Sequence, residues 1–281
     1  MNAKDDWSPA NNPYAIAVSE SQWWQRAAIL TARRMHDQDD SIGGFSSRQI
    51  DARNLVFALR QILTAVELER TALKEIGIDM AVRNQLVQAR DQFTAAFPDV
   101  KHMRDALTHF DEWSRGTGKG PQQKHAESTG EALHDVARHF WSFGYDPQTD
   151  IVSMGPYRLD VSKVEKAASK MTHAIWVAAH AVDQKNAAEL YTKALQVIGG
   201  SGVTCSDDGP VRTFSDGVRV GLFLNMAMLP DQQERSELAA KLLAAISAGG
   251  LLATSSTHPD AQDVMERLVA GEHLRLERQP T

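Results

Sequence analysis

Apolar residues recur at helical spacing through the first two hundred positions. Trp23, Ala27 and Leu30 begin a short amphipathic segment that ends near Met35. "HDQDDSIGGFSS" (36–47) is turn-rich and reads as a loop. From about Ile50, Leu55, Leu59, Ile62, Val66, Leu73 and Ile76 follow steps of three and four, the buried stripe of one long helix, with Glu69 filling the gap in the series. Val82, Leu86, Ala89, Phe93 and Phe97 repeat the pattern until Pro98 ends it. Asp99 is placed to cap the next helix, whose expected buried stripe is Val100, Met103, Leu107 and Phe110.

"RGTGKGPQQ" (115–123) interrupts the chain, and Leu133, Val136 and Phe140 predict another helix. "DIVSMGPYRLDVS" predicts a hairpin turning at Gly155-Pro156. Val161, Val164, Ala168, Met171, Ile175, Ala178 and Val182 give the most regular stripe of all. A last helix around 186–198 runs into "GGSG", which reads as a linker. Beyond it "VRVGLFLNM", "LLATSS" and "EHLRLE" are strand-like, while "DQQERSELAAKLLAAIS" and "PDAQDVMERLV" are helical. The expected architecture is therefore mainly α, a helical domain over 1–200 followed by a smaller α+β portion over 203–281. That portion is either a unit of its own or an extension pairing with the hairpin at 151–159.

Composition narrows the class. The chain has 281 residues, 42% hydrophobic and 23% charged, as in ordinary globular proteins. The net charge is −6, with 23 basic and 25 acidic residues up to Gly202 and 7 and 11 after it, which argues against coating long duplexes by bulk electrostatics. Residues 45–125 nonetheless hold 12 basic and 10 acidic residues, a local excess that permits contact with a short or single-stranded RNA. Cys205 is the single cysteine, so an intrachain disulfide and a thiolate cage are excluded. "MNAKDDWSPANNPYA" lacks the features of a secretory signal, and "LLAAISAGGLLA" is too short for a membrane span. A cytoplasmic protein is expected.

The chemistry-bearing stretch is "HMRDALTHFDEW" (102–113). On one helix Arg104 and His109, five residues apart, differ in direction by about 140°. Arg104 borders the apolar stripe, and His109 lies on the polar half with Asp105 one turn before it, close enough to orient the imidazole. Arg104 and His109 can both edge a groove if this helix packs beside its own copy across a two-fold axis.

"RDALTH" (104–109) resembles the R-x4-6-H signature of the HEPN superfamily, over residues 50–185 at most. The resemblance implies a compact helical bundle, a homodimer and a metal-independent endoribonuclease with no cofactor. It assigns Arg104 to the scissile phosphate and His109 to general acid–base chemistry, with the RNA's own 2′-hydroxyl as nucleophile and a 2′,3′-cyclic phosphate as product. It also implies a toxin–antitoxin or phage-defence setting, with an antitoxin or regulatory protein as partner. Glu69 then has a supporting role: an acid inside an apolar seam is costly unless paired, and Arg104 is the expected partner. In the competing arrangement Leu68 takes the core position and Glu69 swings to solvent.

Other signals are weaker. "RGTGKG" lacks the first glycine and the Ser or Thr of a phosphate-binding loop and follows a helix, although Arg115 and Lys119 are candidates to touch an RNA backbone. "GGSGVTCSDDG" has the Gly-Ser and paired acids of minimal nucleotidyltransferases, but Ser201 and Asp207 are too close together. His134 and His139 are five apart, not the four that clamp a metal, and His173 and His180 share a helix face as ordinary polar residues. Trp23-Trp24 reads as an anchor of its helix. Two further functions compete with the ribonuclease: a non-catalytic helical homodimer that binds protein or RNA, and a sensing module gated by the C-terminal portion.

Overall fold

The computed structural model describes residues 8–37, 39–199, 220–223, 232–254, 261–270 and 273–278. Helix α1 (Pro13–His36) starts with a proline, whose missing N–H costs nothing in a first turn. Its buried face is Ala17, Ser21, Ala28, Thr31, Ala32 and Met35, so Trp23 and Leu30 stand 68% and 58% exposed, contrary to the expected stripe. The small residues let α1 lie close along its neighbour, and the bulky ones project outward. The expected loop after it holds a tight hairpin, β1 (Ser41–Ile42) and β2 (Phe45–Ser46), turned by Gly43 and Gly44, both at positive φ.

Ser46 then starts α2 (Ser47–Ile76), its hydroxyl accepting from the Gln49 N–H at 3.4 Å. Leu55, Leu59, Ile62, Val66 and Leu73 are fully buried, as the spacing requires. Gly77, at φ 74°, ends the helix in a left-handed cap: its N–H reaches the Lys74 carbonyl at 3.2 Å, and the Ile78 N–H reaches Leu73 at 2.9 Å. Near the opposite end the buried Asp51 pairs with Arg34 of α1 at 3.0 Å.

Helix α3 (Met80–Ala96) is capped by Asp79 and buries Leu86 and Phe93, with Phe97 buried just beyond. Helix α4 (Val100–Thr108) packs on α2 and buries Val100, Met103, Ala106 and Leu107. It then stops, because His109 takes φ −106° and ψ 45°, and a short α5 (Phe110–Trp113) sets off anew. Phe110, expected in the stripe, is 59% exposed, and Trp113 is buried instead. Asp99 makes no side-chain cap; its carboxylate accepts from the Arg158 N–H at 3.0 Å.

The segment expected to interrupt the chain contains α6 (Pro121–Thr129), followed by α7 (Leu133–Phe140). The expected hairpin gains a third strand, giving an antiparallel meander of β3 (Phe143–Asp146), β4 (Ile151–Met154) and β5 (Tyr157–Asp160). Gln49 of α2 meets its edge, accepting from the Tyr145 N–H at 3.1 Å and donating to the Tyr145 carbonyl at 3.3 Å. Helix α8 (Val164–Gly199) follows, with Val164, Ala168, Met171, Ile175, Ala178 and Val182 no more than 2% exposed. It is continuous through 186–198, where a separate helix is expected; Gly200, Ser201 and Gly202 of the "GGSG" linker lie outside the described residues.

Contacts divide the chain within α8 and not at the expected linker: Ser8–Ala179 forms one unit, and a second is built from His180 onward. In the second, β6 (Val220–Phe223), β8 (His273–Arg278) and β7 (Leu251–Thr254) form an antiparallel sheet in that order. With α9 (Gln232–Ala248) and α10 (Ala261–Ala270) it encloses Leu190, Ala194, Leu242, Ile246, Val264, Leu268 and Leu276. Among the described residues these strands pair with one another and not with the hairpin at 151–159. The fold is mainly α with a smaller α+β portion. No helix among the described residues is long and apolar enough to cross a membrane.

Gly155 turns β4 into β5 at φ 53°, and a Cβ there would lie 2.7 Å from the His139 carbonyl oxygen and the Phe140 Cα. Gly155→Ala is expected to cost on the order of 2 kcal/mol or more of unfolding free energy in urea titrations. An unchanged midpoint would contradict this packing of the meander on α7.

Candidate functional site

Arg104 and His109 are set in place by the packing of α4. Met103 and Leu107 are buried as the helix packs on α2, and Arg104, beside them, is left half-buried with 28% of its side chain exposed. One terminal nitrogen pairs with its neighbour Asp105 at 3.1 Å. Its Nε is buried without a hydrogen-bond partner. Across the seam Arg60 of α2 is in the same condition, its Nε buried and unpartnered. Burial, and after it the nearby Arg104 charge, push Arg60 below its ordinary value, while Asp105 and Glu67 oppose the shift.

The charges continue outward. Glu67 pairs with Arg70 at 2.6 Å and with Arg90 of α3 at 3.5 Å, and Arg90 also holds Asp91 at 2.8 Å. Four arginines thus meet three carboxylates where α2, α3 and α4 adjoin. Opposing carboxylates neutralise the cluster only in part, which suits it to an anion.

His109 sits at the break between α4 and α5. Its backbone is tied on both sides: the N–H donates to the Asp105 carbonyl at 2.9 Å, and its own carbonyl accepts from Trp113 at 3.0 Å. The imidazole is exposed and has no hydrogen bond or ion pair among the described residues. Asp105, expected to orient that ring, turns its carboxylate to Arg104. Within one chain no hydrogen bond or ion pair joins Arg104 to His109.

Arg115 and Lys119 are exposed in the turn after α5, and the Arg115 Nε donates to the Asp111 carbonyl at 2.8 Å. The turn is held from below by buried Gln122, whose amide accepts from the Gly118 N–H and donates to the Trp113 carbonyl at 3.0 Å. His134 pairs with Asp135 at 3.0 Å, whereas His139 stacks on His125 with centroids 4.9 Å apart; His173 stacks on Trp176. Among the described residues no three His, Cys, Asp or Glu side chains are grouped to hold a metal ion.

Set against protein-family models, curated proteins and solved structures, the chain matches none.

Glu69 corrects the expected pairing with Arg104. It is fully buried, as its place in the stripe requires, while Leu68 is exposed, yet both carboxyl oxygens lack a partner. The reason is register. Arg104 meets α2 near Arg60, nine residues and about 14 Å along the helix from Glu69, beyond an arginine's reach. Burial alone pushes the Glu69 carboxyl up to about 8, so it is mostly protonated at neutral pH. Arg60, which faces the motif, escapes sequence reading because it lies beside the stripe and not in it.

Glu69 has a testable consequence. Below about pH 4.5 it is protonated whether folded or unfolded. As the pH rises toward about 8 the unfolded chain ionises it first, so stability is lost across that window and levels off above it. Glu69→Gln should remove the loss, gaining on the order of a few kcal/mol at pH 8 and little at pH 4. Parallel stability curves for the two proteins in urea melts from pH 4 to 8.5 would contradict a neutral buried carboxyl.

Proposed function

We propose that the chain is a metal-independent endoribonuclease of HEPN type that acts as a homodimer. The observation that carries this reading is the pair of guanidiniums of Arg60 and Arg104, each with a buried Nε that lacks a partner, one turn and a half from an unengaged imidazole. Guanidiniums fixed before a substrate arrives need little reorganisation to hold a phosphodiester, and they act most strongly on charge that grows in the transition state. Arg104 would hold the scissile phosphate and Arg60 would add positive potential, with Asp105 setting the Arg104 geometry. Arg115 and Lys119, exposed beyond α5, are proposed contacts to the flanking RNA backbone.

The chemistry uses groups of this chain and its substrate. One His109 takes the proton from a ribose 2′-hydroxyl, and the 2′-oxygen bonds to phosphorus. The bond to the 5′-oxygen breaks, and that oxygen leaves with the proton that the imidazole took up. The products are a 2′,3′-cyclic phosphate and a 5′-hydroxyl. An imidazole suits both roles because its ordinary pKa lies near 6.5. Two-fold pairing would bring Arg104 of one copy and His109 of the other to one cleft, and Phe110, 59% exposed beside His109, is an apolar anchor for a second copy to cover. A toxin or phage-defence setting, with an antitoxin or regulatory protein restraining the nuclease in the cytoplasm, belongs to the same proposal.

A second reading, an RNA- or protein-binding homodimer without catalysis, is favoured by one observation: among the described residues no carboxylate or carbonyl bonds His109 to fix its tautomer. Labelled total RNA incubated with wild type, Arg104→Ala and His109→Ala in EDTA separates the two. The nuclease predicts cleavage ending in cyclic phosphate by wild type, reduced on the order of 100-fold or more in either variant. Intact RNA with all three proteins, retained on the wild-type dimer, establishes the binding module in its place.

A further inference from the structure

Away from the arginine cluster, α3 and the start of α8 enclose a cavity of about 500 Å³. Its origin is compositional. Ala89 and Ala96, seven residues apart on one face of α3, stand near Ala167 of α8, and three methyl groups leave open what larger side chains would fill. The floor is apolar and fixed, made by Phe93 and Met171, which are 2% and 1% exposed. Phe93 is held edge-on against Phe97, with ring centroids 5.2 Å apart.

The rim carries charge of one sign. Lys163, Lys166 and Lys170 line it, and no carboxylate does. Lys163 is neutralised by Asp160 at 3.1 Å. Lys166 and Lys170 have no hydrogen bond or ion pair among the described residues, and at a spacing of four they repel across one helical turn. A negative group between them removes that repulsion, while the floor beneath offers apolar surface to whatever bears the charge. Size bounds the ligand further. Ala89 to Ala96 spans about 10 Å, enough for one ring system or about eight carbons but not a long acyl chain. The volume lies in the range of small-molecule sites.

We propose that this cavity binds a small organic anion, its apolar body lying on Phe93 and Met171 and its carboxylate or phosphate between Lys166 and Lys170. The site is independent of the RNA reading, since it shares no residue with the arginine cluster or with His109.

Titration calorimetry of the full chain with octanoate and with phenyl phosphate tests it, with octan-1-ol and octylamine as the neutral and cationic controls. Saturable one-to-one binding of either anion with a Kd below about 1 mM, weakened at least tenfold in the Lys166→Glu, Lys170→Glu double variant, is the expected result. The stronger of the two anions identifies the headgroup. Both lysines are exposed, so the variant is expected to fold, and its circular dichroism and melting are compared with wild type. A second variant, Ala96→Leu, keeps the charges and fills the cavity, and should weaken both anions alike. The proposal is overturned if neither anion binds, if octylamine or octan-1-ol binds as well as the anions, or if a folded double variant binds unchanged.

Discussion

The helical unit depends on one continuous apolar seam, the face of α2 that runs from Ala52 to Leu73. Helix α1 packs along it, and α3, α4 and the edge of the meander meet the same helix. Each large residue in the seam is fully buried, and removing one would leave a void whose cost adds to the lost transfer energy. The seam carries one misfit, the neutral Glu69, which burial disfavours and no partner relieves. The strength of the surrounding apolar contacts is what allows the helix to keep such a group.

From that seam follows the placement of the chemistry-bearing groups. Helix α4 has only nine residues, and four of them are buried against its surroundings. Arg104 is therefore held by packing, a condition for preorganised electrostatics. His109, past the last turn, is held by backbone hydrogen bonds alone while its ring stays in solvent. One group is pre-set and its companion is free. That asymmetry is the one that the proposed cleft, completed from a second copy, would require.

Periodicity made α2, α3 and the first half of α8 legible, because large residues recur along their seams at a spacing with no rival reading; that α8 continues through 186–198 was not legible. It misled at α1, where alanine, serine and threonine form the buried face and Trp23 and Leu30 face out; a hydrophobic pattern favours bulk, whereas close helix contact selects smallness. The break at His109 carries no proline or glycine, so nothing local announces that Phe110 leaves the stripe. Helix α6 was hidden for the opposite reason, being polar throughout with only Gln122 buried. The stripe offered burial of Glu69 as one of two arrangements, the other placing Leu68 inside. Its lack of a partner and the neighbourhood of Arg60 and Arg104 were not legible, because both depend on the register between helices distant in sequence.

The shared cleft is tested most directly by complementation between two defective chains. Arg104→Ala and His109→Ala proteins, co-expressed with different tags so that only the mixed assembly is purified, each lack a different half of the chemistry. A cleft drawn from both copies predicts that the mixed dimer recovers metal-independent cleavage well above either parent, since it retains one guanidinium and one imidazole. Failure to isolate a mixed dimer, or a mixed dimer as silent as both parents beside an active wild type, would contradict it.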